Sequence, residues 1–129
     1  MSTCESVCIG TDDPGETPEW HRESTPVARK EYRCYEGCGV KIQPGTRYHK
    51  VVGMWDGKIS TIRQCLPCHE IQQVFSCDQG WIYGSLWEDW DNVDGFANLS
   101  VYDKCFQQLT DETRRFLVDR WWEWKARTR

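Results

Sequence analysis

The chain has 129 residues, 20 acidic against 16 basic side chains and a net charge of −4, with eight cysteines and eight tryptophans. That length suits one compact domain, since domains commonly run to about 100–150 residues. No apolar stretch is long enough to cross a bilayer, and an acidic chain lacks the basic footprint of a dedicated nucleic-acid binder. The opening residues, Met1 to Cys8, have neither a basic start nor an apolar run, so no signal peptide is expected. The expectation is a cytoplasmic protein, where close cysteine pairs favour metal over disulfides.

Charge is unevenly spread. Residues 1–26 sum to −5, residues 27–70 to +4 and residues 71–129 to −3. The first segment is polar and punctuated by Asp13-Pro14-Gly15, Pro18 and Pro26. Such a composition buries little apolar surface, so residues 1–26 read as an extended or loosely docked arm in which Trp20 is the residue suited to docking. Residues 27–76 read as the structured finger and residues 77–129 as a helical region packed on it.

Within the finger, Pro44-Gly45 marks a turn. Residues 48–55 and 58–64 are β-prone, and Asp56-Gly57 between them is a two-residue hairpin turn. Pairing across it sets Met54 against Ile59 on one face and Val51 against Ile62 on the other, which suits a hairpin covered on both sides. Pro67 then opens a helix whose Ile71, Val74 and Phe75 form one apolar stripe. Further on, Tyr83, Leu86, Trp87 and Trp90 make a second stripe, ended by residues 91–95. Ser100 with Asp103 reads as a helix start ahead of Val101, Cys105 and Leu109. Thr110 reads as the N-cap of a last helix, with Asp111 and Glu112 at its positive end and Phe116, Leu117, Trp121 and Trp124 on its apolar face.

Cys34, Cys38, Cys65 and Cys68 follow the pattern C-x3-C, 26 residues, C-x2-C, within the range of structural zinc sites. Gly37 and Gly39 let the chain turn about the first pair so that amides face the thiolates. The second pair sits where a helix begins, which favours thiolate over thiol. These features predict one zinc ion per chain, with iron on four thiolates as the competing occupant and His69 as the alternative to Cys68. Knuckle, hairpin and helix in that order define an α+β treble-clef zinc finger, here with an aromatic-rich helical C-terminal cap.

The segment from Ala28 to Phe75 resembles a family of small zinc-finger proteins encoded by bacteriophages and prophages. The residues that carry the likeness are Ala28-Arg29-Lys30, Arg33-Cys34, Cys38-Gly39, Ile42 to Gly45, Tyr48, Trp55-Asp56-Gly57, and Ser60-Thr61 ahead of Cys65 and Cys68. Gly80-Trp81 to Gly84 resembles the family's following segment. The first knuckle is one residue longer than the family's usual C-x2-C. What the resemblance implies is a phage setting and zinc, not an activity.

The remaining cysteines leave two readings open. Cys4, Cys8, Cys77 and Cys105 make a second metal site if the arm folds back; otherwise they are two arm thiols and two core thiols. Core filling accounts for several of Trp81, Trp87, Trp90, Trp121 and Trp124, whereas Trp122 and Val118 lie off the assigned apolar arc and, with Trp20, are candidates for a partner surface. The leading function is binding of a host or phage protein in the infected cell, with inhibition of a bacterial defence or regulatory system as one form. The alternative is transcription-related nucleic-acid binding through Arg29, Lys30, Arg33, Lys41, Arg47 and Lys50. A third reading, a nuclease-like treble-clef enzyme, has His49 as its hairpin base but only His69 on the helix. Four thiolates also close a metal to substrate, so no catalytic residue is assigned and the expectation is a non-enzyme.

Overall fold

The computed structural model describes residues 4–10, 18–77 and 82–128, in which a mixed α+β arrangement surrounds a cluster of buried cysteines. Asp13-Pro14-Gly15 and Gly80-Trp81 lie outside the described residues. The strands are β1 (Trp20–Ser24), β2 (Tyr32–Arg33), β3 (Lys41–Ile42), β4 (Tyr48–Trp55) and β5 (Lys58–Cys65). The helices are α1 (Leu66–Phe75), α2 (Leu86–Asn92), α3 (Gly95–Asn98), α4 (Lys104–Gln108) and α5 (Asp111–Arg127).

The hairpin forms at the expected turn. Asp56 and Gly57 both take positive φ, as a turn matching the strand twist requires. The register pairs Met54 with Ile59 and Val51 with Ile62. Val51 and Ile62 are buried, but Ile59 is 64% exposed, so the hairpin is not covered on both faces along its length. The reason is where the covering elements lie. His69 of α1 stacks on His49 on one face, and Tyr32 of β2 meets Tyr48 and Arg63 on the other, all toward the base of the hairpin. β1 extends the sheet sideways, in the order β1-β4-β5, and covers neither face.

That third strand comes from the segment read as an arm. Where the composition suggests an extended or loosely docked chain, Trp20 to Ser24 pair with Met54 to Lys50. Cys4, Val7 and Ile9 are buried in the core, and the Ile9 amide donates to the Phe75 carbonyl at 2.9 Å. Buried positions 4, 7 and 9, together with hydrogen bonds from Glu5 and Ser6 to Asp103, dock a segment whose average composition is polar. Cys4 is bonded to Cys105 and Cys8 to Cys77, so these four are neither loose thiols nor, in this structure, metal ligands.

The helical cap keeps most of its expected phase. Trp90 is fully buried, with Phe75 at 5.3 Å and Phe96 at 5.4 Å between ring centroids. A Cβ on Gly95 would come within 2.4 Å of the Trp90 ring, so only glycine allows the chain to pass there. Asp103, rather than Ser100, is the N-cap of α4, which leaves Val101 exposed instead of on an apolar stripe. Thr110 caps α5 by accepting from the Thr113 amide. Glu70 of α1 reinforces that cap, accepting from the Thr110 amide and from both threonine hydroxyls. Val118, expected beside Trp122 on the free flank, is half-buried against the core. Trp121 is also half-buried, and its Nε1 donates to the Phe96 carbonyl at 3.1 Å.

Trp90→Ala is expected to lower stability by about 3–5 kcal/mol, the usual result of emptying a core aromatic site. Trp122→Ala, at a side chain 61% exposed, should leave the melting temperature nearly unchanged. Thermal melts followed by circular dichroism on both variants check the pair.

Candidate metal centre

Three segments meet at the cysteine cluster, and each delivers sulfur for a local reason. Cys34 and Cys38 lie on the turn between β2 and β3, where Gly37 and Gly39 adopt φ of 71° and 83°. Cys65 ends β5 and is also the N-cap of α1, while Cys68 lies in the first turn after Pro67. All four side chains are buried, and their sulfurs lie within 4.8 Å of one another. The Cys38 and Cys65 sulfurs are 3.7 Å apart. Four sulfurs at about 2.3 Å from one cation would stand about 3.8 Å apart along a tetrahedral edge. The donor set is therefore one that can hold a single metal ion.

Two backbone amides face the sulfurs. The Val40 amide donates to the Cys38 sulfur at 3.4 Å and the Cys65 amide to the Cys34 sulfur at 3.3 Å. Hydrogen bonds from Cys34, Cys65 and Cys68 hold Cys38 far below the ordinary thiol range. Hydrogen bonds to Cys34 and Cys38, with burial, push Cys65 and Cys68 far above it. Burial alone disfavours thiolate charge, and a cation at the centre of the four would offset it.

A buried polar network stands directly behind the cluster. Glu36, between the two knuckle cysteines, accepts from the Gly84 amide, from the Leu86 amide and from the Gln64 side chain at 2.7 Å. Burial raises the Glu36 carboxyl above its ordinary value, and those hydrogen bonds oppose the rise. Gln64 donates also to Gln72 at 2.9 Å, and its oxygen lies 3.2 Å from His69 Nδ1. From α5, Arg120 donates to the Cys38 carbonyl at 2.8 Å while its guanidinium lies 4.3 Å from the Trp87 ring centre. Glu36, Gln64, Gln72 and Arg120 escape a search for ligands. Only Gln64 gives a signal, as a polar residue in the inward phase set by Ile62.

The two histidines are occupied with each other. Their rings stack at 3.5 Å, and His49 Nε2 lies 2.9 Å from a Glu23 oxygen. Burial, and then the nearby His49, lower His69 to about 4, so it is neutral at pH 7. His69 is not part of the sulfur cluster.

The other sequence candidates are more scattered. Trp20 and Trp122 are exposed, on β1 and α5 respectively. Arg29, Lys30, Arg33, Lys41 and Arg47 are exposed and Lys50 is half-buried. Of these, Lys41 approaches Glu31 at 3.9 Å, Arg47 donates to the Thr25 carbonyl and Lys30 sits over the Tyr32 ring. No family model, curated protein or solved structure matches this chain.

Glu36→Ala removes one acceptor shared by two backbone amides and a side-chain amide. Gln64 still donates to Gln72 and exposed Gly84 can turn to water, which leaves the buried Leu86 amide without a partner at an expected cost of roughly 1–3 kcal/mol. Glu36→Gln, which keeps one carbonyl oxygen, should cost less. Urea unfolding of the two variants beside the parent chain checks both.

Proposed function

We propose that this chain is a treble-clef zinc finger closed by an aromatic helical cap, and that it serves as a phage-encoded accessory protein binding a host or phage protein in the bacterial cytoplasm. The observation that carries the reading is the buried four-sulfur cluster set within the order knuckle, hairpin, helix. Zinc is preferred to iron because one sulfur pair comes from a loop knuckle and the other from the start of a helix. Four thiolates leave a cation no open position, so such an ion is structural, which supports a binding role over an enzymatic one. The stacked, mostly buried His49 fits a structural role better than that of a general base.

A binding role draws support from what the fold leaves uncovered. Trp20, Met54 and Ile59 stand in register across three strands and share one face. Trp20 is 43% exposed and Ile59 is 64% exposed, at the end of the sheet that neither α1 nor the knuckle covers. Aromatic and aliphatic side chains held on strands suit a protein partner. Inhibition of a host defence or regulatory system is one form of such binding. The alternative, nucleic-acid binding, rests on the exposed basic residues of the finger, several of which already have intramolecular partners.

Cys65→Ser is expected to remove one equivalent of zinc and to unfold the finger, because metal affinity contributes directly to folding. Elemental analysis with a thermal melt reads both. Affinity purification from the host with and without nuclease should recover the same partner, and Ile59→Asp should reduce recovery at least tenfold without lowering the melting temperature. A partner lost on nuclease treatment, or duplex binding that persists at about 0.15 M salt, would favour the alternative.

A further inference from the structure

A second place in the molecule gathers sulfur, where residues 4–8 meet the end of α1 and the start of α4. Cys4 and Cys8 repeat the C-x3-C spacing of Cys34 and Cys38. The sulfurs of Cys4, Cys8 and Cys77 lie within 4.8 Å of one another, and Cys105 is bonded to Cys4. The two bonded pairs are adjacent, since the Cys4 amide donates to the Cys77 sulfur at 3.4 Å. Amides of Val40 and Cys65 make the same kind of bond at the first cluster. The short loop is held by more than sulfur. Asp103 accepts from the Glu5 amide at 3.3 Å, the Ser6 amide at 2.7 Å, the Ser6 hydroxyl and the Cys105 amide at 2.9 Å. Its carboxylate lies within 4.8 Å of the Cys4 and Cys105 sulfurs, but those four donors occupy it as a loop anchor.

We propose that Cys4, Cys8, Cys77 and Cys105 form a second thiolate metal site, which takes a divalent cation of the zinc class when these four are reduced. The chain then carries two metal ions. All eight cysteines share one environment, and the first cluster binds metal only as thiolates. Conditions that keep Cys34, Cys38, Cys65 and Cys68 reduced also favour reduction of the half-buried Cys8–Cys77 pair. The chemistry balances. Two dithiols, each giving two electrons and two protons and ending as a disulfide, convert the two protein disulfides into four thiols. One cation then displaces four protons and is held by four thiolates, with a net charge of −2 on the site. The sulfurs part by side-chain rotation, while the Asp103 bonds keep the loop in place.

The full chain, purified anaerobically with excess zinc and a dithiol and then freed of unbound metal, gives the test. Elemental analysis should find two zinc ions per chain, and alkylation after denaturation should find eight free cysteines. The Cys8→Ser/Cys77→Ser double variant should hold one zinc. Because misfolding would also lower that count, cadmium-113 NMR of the parent chain supplies a second readout, with two tetrathiolate resonances expected. One zinc with eight free thiols would overturn the proposal. So would one zinc with four cysteines still disulfide-bonded under the dithiol. Two zinc ions in both parent and double variant would place the second ion elsewhere and overturn it equally.

Discussion

Bringing four sulfurs to one buried point constrains more of this molecule than any other single requirement. Cys65 is at once the last residue of β5 and the N-cap of α1, so the strand direction and the helix axis are joined at a sulfur. The knuckle must then arrive over the opposite face of the hairpin for Cys34 and Cys38 to reach the same point. It does so through glycines with positive φ and through Tyr32, which lies against Tyr48 and beneath the Arg63 guanidinium. The base of the sheet is thereby enclosed, and its far end is left open.

The cap is coupled to the cluster by polar contacts as well as by packing. Glu36 reaches from the knuckle to the start of α2, Gln64 joins it to α1, and Arg120 reaches from α5 to the Cys38 carbonyl. A buried polar group that loses its partner in such a network is costly. Loss of the knuckle geometry would therefore strand groups in the cap, and disorder at either end would weaken the other. Glu70, binding both threonines at the start of α5, adds a second tie between finger and cap.

On the proposed binding role, the finger and the cap divide the work. Sulfur and aromatic packing hold the base of the sheet rigid, and that rigidity sets the row Trp20, Met54 and Ile59 at a fixed spacing. A contact surface on paired strands loses little conformational entropy on docking, which favours affinity. Trp122 lies on a different element, the terminal helix, and so offers a second and independent point of contact.

Local features were legible in the sequence wherever neighbouring residues decide the outcome. The Asp56-Gly57 turn sets the hairpin register, Pro67 and the apolar stripe set α1, and Thr110 sets the start of α5, because each depends on backbone preferences over a few residues. The paired spacing likewise marked Cys34, Cys38, Cys65 and Cys68, since ligands on one knuckle or one helical turn are close by covalent geometry. Long-range choices were not legible. That β1 joins the sheet, that residues 4–9 enter the core, and that Cys4 and Cys8 meet Cys105 and Cys77 all depend on free sheet edges and apolar surface supplied by distant residues. Glu36 and Arg120 were hidden for the same reason: a charged residue in a polar stretch reads as solvated until the tertiary fold places its partners around it.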